Sequence, residues 1–401
     1  MLLENIEKTI NEILSKVKRN ALRVGSKIPL CILDNEGKYV LGDGGGWTDA
    51  FWVGILYLAY NYTLDKDYLA FADAYQQFFR DRVNLKSHLY NNETFLPLDH
   101  DTGFIFSLSQ VARYKLIGDY EAKVLALKAS ELLALRYNEK GKFIRAWDTW
   151  PWDTEENFIE EKKGKIIIDS IMNVPLLMWA YDETEIDRYR EIAINHTDTV
   201  MKYIVRNDYS TYHTYNFNPY NGEALYGKTQ QGYDDVSCWS RGQSWAIYGF
   251  TLMYAYTKNE NYLLTAKGLA EYFINYLPKN CIPYWDFDVA HLEFKPWDSS
   301  AGAIAACALI DLSKYVIDIK EKTRYETAAK NIIEALIKLC STLYNETYEP
   351  LLLHGCVGSA YRKNEEKQIL VPYVDTPMIY GDYFFVEALM KLKNKNMTRF
   401  W

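Results

Sequence analysis

The stretch LPLDHDTGFIFSLSQ, Leu96 to Gln110, sets Asp99, His100 and Asp101 in front of an apolar run. Two carboxyls flanking an imidazole are the groups that pass protons in general acid–base chemistry. The same order also opens helices, because an Asp side chain accepts from free backbone N–H groups. The local sequence leaves both readings open, and it reads Asp169, in IIDSIMNVP, first of all as a cap. A second group is Arg241 and Trp245 in RGQSW, four residues apart and therefore on one helix face. There a guanidinium can hold a carboxylate or orient water through several hydrogen bonds, and the indole can form an apolar wall or stack on a sugar. Trp52 in FWVG and Trp152 in WPWD are further stacking rings, with plain core packing as the rival reading. Ser359, Arg362 and Lys363 in GSAYRKNE form a basic loop, which as a solvated loop needs no function.

Metal and nucleotide chemistry find little support. The six His are isolated, and there is no HExxH, CxxC, GxGxxG or Walker pattern. The Gly44-Gly45-Gly46 run reads as a turn before Trp47. No cofactor is expected.

Elements must bring these residues together, and the chain repeats. Six segments open on small or polar residues and turn almost wholly apolar: they start near Asp49, Asp101, Asp169, Arg241, Ser299 and Tyr380. A helix apolar on all sides is a buried one. Most are followed by an amphipathic helix, and the N-terminal helix, residues 2 to 20, supplies the partner that the sixth lacks. The spacing of about 50 to 80 residues is too irregular for an open solenoid. The pattern predicts an all-α fold, an (α/α)6 barrel of six inner and six outer helices filling 1–401 as one domain. If each outer helix returns the chain to the same end, the inner helices are parallel. Their N-termini then share one mouth, which gathers free N–H groups and positive dipole ends suited to an anionic ligand.

Composition narrows the function classes. A net charge of −8 argues against a general nucleic-acid or membrane-surface binder. With 34 Tyr and 11 Trp, the chain suits sugar binding, though large helical cores also use these rings. Six scattered Cys imply core thiols in a reducing compartment. The charged N-terminus lacks the apolar core of a signal peptide, and no apolar run is long enough to span a membrane, so a cytoplasmic location is expected.

Five motifs, in order along the chain, carry a family resemblance: HDTGF (His100–Phe104), IIDSIMNVP (Ile167–Pro175), WSRGQSW (Trp239–Trp245), WDSSAGAI (Trp297–Ile304) and IYGDYFFVEAL (Ile379–Leu389). By them the chain resembles the unsaturated glucuronyl hydrolases, glycoside hydrolase family 88. The resemblance implies an (α/α)6 barrel that acts on lyase-generated glycosaminoglycan oligosaccharides and releases 4,5-unsaturated glucuronic acid by hydrating its vinyl ether. It implies Asp169 as general acid and base, with Asp101, which is also expected to cap its own helix, contacting sugar hydroxyls and supporting that acid. His100 would line the same pocket. His213 and Gln231 match polar positions near the uronate and the water, with a one-residue slip to Gln230 open. Arg241 and Trp245 would complete the site. Ser359 and Lys363 would meet a sulfated neighbouring sugar. The related unsaturated rhamnogalacturonyl hydrolases, which act on pectin fragments, usually carry RGNGW where this chain has RGQSW. Sugar epimerases of similar fold lean on more His residues than fit here, and an inactive carbohydrate-binding barrel is the non-enzyme alternative.

Overall fold

Inner helices form where the sequence is apolar all round, and outer helices where one face is charged. In the computed structural model, which describes residues 2–84, 89–90, 94–95, 98–149, 154–358, 360, 374–394 and 397–401, both kinds lie where the pattern predicts. The inner helices run over Phe51–Thr63, Thr102–Ile117, Ile168–Thr184, Ser240–Thr257, Ser299–Ser313 and Ile379–Lys393. The outer ones are Leu2–Val24, the pair Lys66–Asp73 and Gln76–Val83, then Tyr120–Ala134, Asp187–Tyr203, Glu260–Tyr276 and Ile319–Ala335. Each inner helix packs on the next, the sixth packs on the first, and Leu2–Val24 touches both of these. The ring is closed, an (α/α)6 barrel.

Short corners make the return to the same end automatic. The inner helices ending at Thr63, Ile117 and Thr257 are each stopped by one left-handed residue, Leu64, Gly118 or Lys258. The next residue, Asp65, Asp119 or Asn259, then caps the following outer helix through its side chain.

Two inner helices depart from the simple reading. The second contains a π-helical turn at Ser107–Val111. The third begins as a 3₁₀ turn, Ile168–Met172, and becomes α-helical only at Pro175. Pro175 occupies the first helical turn, where its missing N–H costs nothing. The long insertions lie at the mouth and hold short strands: Lys165–Ile167, Thr214–Phe217 and Ala224–Lys228 form a three-stranded antiparallel sheet with Ile166 opposite Tyr215. Among the described residues no helix is long and apolar enough to cross a membrane.

Candidate active site

Three inner-helix starts converge on one pair of acids. Asp101 stands at the N-cap position of the second inner helix, yet its side chain makes no capping bond. The expectation that Asp101 caps its own helix is therefore corrected. The cap comes from the neighbouring helix: Asn173 Oδ1 accepts from Phe104 N at 2.7 Å. The Asn173 amide then donates to Asp101 Oδ1 at 3.2 Å and to the Asp169 carbonyl at 3.3 Å, fastening the two segments together. Asp99 Oδ1 accepts from Asp101 N at 2.9 Å, so Asp99 shapes the turn. Asp169 is no helix cap either, since it lies inside the 3₁₀ turn. Both carboxyls are thus free of the structural duty their sequence context suggested, and both residues are buried.

Burial sets their proton affinity. Desolvation pushes the Asp169 carboxyl up to about 7, against the opposing pull of Arg241, backbone hydrogen bonding and the Trp245 indole, whose N–H faces the carboxylate without closing an ordinary hydrogen bond. Asp101 is raised well above the usual carboxylate range, first by burial and then by the charges of Asp99 and Asp169. His100 helps to hold a proton there. Its Nδ1 lies 2.7 Å from the Ala146 carbonyl and must donate to it, which leaves the Nε2 lone pair 3.2 Å from Asp101 Oδ1. Two acceptors at that distance need one proton between them. Burial lowers the His100 pKa, so the favoured arrangement is neutral imidazole against protonated carboxyl.

His213 is fixed in the opposite sense. Its Nδ1 accepts from the backbone N–H groups of both Gln230 and Gln231 at 3.0 Å, so Nε2 carries the proton. Its carbonyl accepts from Ile168 N at 2.9 Å, which sets it beside Asp169, and its ring lies 4.4 Å from Trp239. This histidine is a donor at the site and not a base. Of the two neighbouring glutamines, Gln231 is the one whose amide reaches across the mouth, to the Val357 carbonyl at 2.6 Å.

Arg241 is held from all sides. It donates to Asp298 Oδ2 at 2.5 Å and to the carbonyls of Cys356 and Val357 at 2.6 and 2.5 Å. The Trp239 and Tyr380 rings flank it at 4.5 and 5.3 Å. Burial works against its charge, but Tyr380 and Asp298 outweigh that, so it stays cationic beside Asp169. Three of its five N–H bonds are spent on these described protein groups. Asp298 does double duty, since its other oxygen caps the fifth inner helix.

Of the expected aromatic rings, Trp245 lies in the site, between Phe104 at 5.1 Å and Phe384 at 5.2 Å. Trp52 does not: its indole interacts with the Tyr75 hydroxyl on the outer layer, and it belongs to the core. Two rings that the sequence reading passed over are better placed. Trp47 is half-buried at the mouth, 4.8 Å from Tyr380 and 5.7 Å from Phe104. Trp147 lies 6.2 Å from His100, one residue after the carbonyl that fixes the imidazole. The position of Trp47, just ahead of an inner helix, was the available signal. Trp152, Ser359, Arg362 and Lys363 lie outside the described residues.

The one His/Asp cluster among the described residues with metal-ligand spacing is Asp99, His100 and Asp101. Its donors are already engaged, His100 with Ala146 and Asp99 with the Asp101 backbone, so the set is arranged to hold a proton.

A buried acid poised near neutrality, a neighbour that shares its field, and an aromatic-walled mouth define a sugar-processing hydrolase. Comparison with known proteins agrees. The model of Glycosyl Hydrolase Family 88 matches residues 34–363, and the chain belongs to that family. It is 36% identical to the unsaturated glucuronyl hydrolase of Bacillus sp. (strain GL1), over 98% of both chains. It is also 36% identical to the unsaturated chondroitin disaccharide hydrolase of Streptococcus pyogenes serotype M1, over 91% of this chain and 86% of that one. The solved unsaturated glucuronyl hydrolase of Streptococcus agalactiae superposes with a TM-score of 0.86 at 34% identity, covering 99% of this chain and 94% of the other. A mutant of that enzyme, solved in complex with dGlcA-GalNAc6S, superposes with a TM-score of 0.79 at 32% identity over 99% and 93% of the two chains. The chain is a glycoside hydrolase.

Proposed function

We propose that this enzyme, acting as one catalytic domain over residues 1–401, releases 4,5-unsaturated glucuronic acid from the non-reducing end of glycosaminoglycan oligosaccharides, with Asp169 as general acid and base. The observation that carries the reading is the Asp169 carboxyl, buried and pushed up to about 7, so that near neutral pH it can both give and take a proton. Protonated Asp169 gives its proton to C4 of the vinyl ether, and the positive charge at C5 is shared with the ring oxygen. The carboxylate then takes a proton from water as the water oxygen bonds to C5, which regenerates the acid. The resulting hemiketal opens by breaking its bond to the ring oxygen, leaving a ketone at C5 and a hemiacetal at C1 that expels the remaining sugar as an alcohol.

The other groups fit this division of labour. His213 offers an N–H and cannot serve as the base, which leaves that task to Asp169. Arg241, which stays cationic beside Asp169, suits the uronate carboxylate. Asp101 binds sugar hydroxyls, and the proton it shares with His100 behind it spares Asp169 a second full charge nearby. Trp47 and Trp147 supply ring faces, and the buried Trp245 backs Asp169 as an apolar wall. Ser359 and Lys363 remain candidates for a sulfated neighbouring sugar. We place the reaction in the cytoplasm, on small sugar fragments and not on nucleic acid. Loss of the ultraviolet absorbance of the conjugated enol acid, on incubation with unsaturated disaccharides, tests the reading. Full activity in an Asp169→Asn variant removes Asp169 from the mechanism.

A further inference from the structure

The barrel has a second end, and a tryptophan closes it. Beyond the sixth inner helix the chain crosses the ends of the inner helices opposite the mouth. Asn61 of the first holds the Thr398 carbonyl at 3.4 Å, and Lys115 of the second holds the carbonyls of Arg399 and Phe400 at 3.0 and 3.3 Å. The Arg399 guanidinium lies 5.1 Å from the Tyr256 ring of the fourth. From there Trp401 turns into the ring and is only 1% exposed. It stacks on Phe384 at 5.9 Å with planes 8° apart and meets Phe104, Tyr383 and Tyr248 at 5.8, 6.1 and 6.4 Å. Those rings come from three different inner helices, so Trp401 occupies the axis.

Two of its neighbours form the floor of the site. Phe104 and Phe384 are the rings that wedge Trp245, and Trp245 faces Asp169. On the other side of the tail is a polar cavity of about 380 Å³, lined among others by Thr398, Arg399, Asp311, Glu387 and Lys391. A polar space of that size holds water. From the tail, Trp401, then Phe104 and Phe384, then Trp245 lead ring by ring to the Asp169 carboxyl.

We propose that Trp401 is a positioning residue for the reaction: it plugs the axis from the far end, holds the Phe104–Trp245 floor in place and keeps water from reaching Asp169 from below. The inference rests on Asp169 being the general acid. Because burial is the main cause that raises this carboxyl, unplugging the axis lowers its proton affinity. The other groups facing it stay where they are: Asp101 with His100 and Asp99 at the second inner helix, Arg241 on the fourth, His213 beside the sheet, and His196, whose Nε2 lies 2.7 Å from the Ser170 hydroxyl.

The test is the pH profile of kcat on an unsaturated disaccharide. The wild-type rate is expected to fall as pH rises through about 7, where the acid loses its proton. In Trp401→Ala that limb moves to lower pH, by about one unit, with kcat falling more than KM rises. Trp401→Phe, which keeps a ring in the axis, restores most of the shift. Ile333→Ala, which opens a cavity in the outer layer, lowers Tm and leaves the limb in place. If Trp401→Ala does not fold, Trp401→Leu is read the same way. An unmoved limb in a folded variant overturns the proposal, as does an equal shift in Ile333→Ala. An inactive wild type would instead strike the general-acid reading itself.

Discussion

Asp169 shows how one side chain can be read in two ways that only its surroundings separate. With its pKa raised from 3.8 to about 7, the folded protein binds more protons than the unfolded chain between those pH values. Its contribution to stability therefore falls as pH rises through that window. Asp169→Asn removes the ionisable group, so two outcomes are expected together. The rate drops by about 10²- to 10⁴-fold, as for a lost general acid. The variant gains stability relative to wild type at pH 8 but not at pH 4, by on the order of 1–4 kcal/mol as an upper range for a three-unit shift. Denaturant titrations at the two pH values check this, and a constant difference between them would contradict the assignment of a raised pKa. His213 permits a sharper substitution. Because its Nδ1 is an acceptor and its Nε2 a donor, His213→Phe should lower kcat without altering the limb near pH 7, whereas loss of a base would remove a limb.

At the scale of elements, the decisive contact is between the second and third inner helices. A Cβ on Gly103 would meet the Asn173 backbone at 2.4 Å, so the two helix starts are as close as they are only because residue 103 is glycine. Gly103→Ala should push them apart, separate the acids and abolish turnover while far-ultraviolet circular dichroism still shows a helical protein. Asn173→Ala removes the borrowed cap and should cost about 1–2 kcal/mol in thermal or denaturant unfolding, with a larger proportional loss of activity. The ring of helices was legible in the sequence because burial on all sides leaves runs such as FWVGILYLA and AGAIAACALI with almost no polar residue. The acids were legible mainly through motifs, since a capping Asp and a catalytic Asp look alike until the cap is seen to come from elsewhere. The aromatic lining was not legible. Phe51 and Trp52 are neighbours in sequence, yet a rotation of about 100° sends Phe51 toward Phe104 and Tyr380 and Trp52 toward the outer layer. Nothing local fixes that phase; the packing of the whole ring does.

For the whole molecule, closure depends on the first helix. Leu2–Val24 packs on the first and last inner helices, and buried Lys16 donates to the Thr342 carbonyl and hydroxyl at 2.8 Å, tying the N-terminal region to a segment 326 residues away. Removing residues 2–24 should expose the apolar faces it covers and replace one cooperative unfolding transition by a broad one at lower temperature, as followed by calorimetry. The stoppered axis has a different consequence. A tube open at both ends would let a polymer thread through it and be cut anywhere along its length. A cul-de-sac admits only a terminus, and whatever enters must leave by the same door. Release of the single end residue, and not cleavage within a chain, is what such a ring favours before any sugar contact is considered.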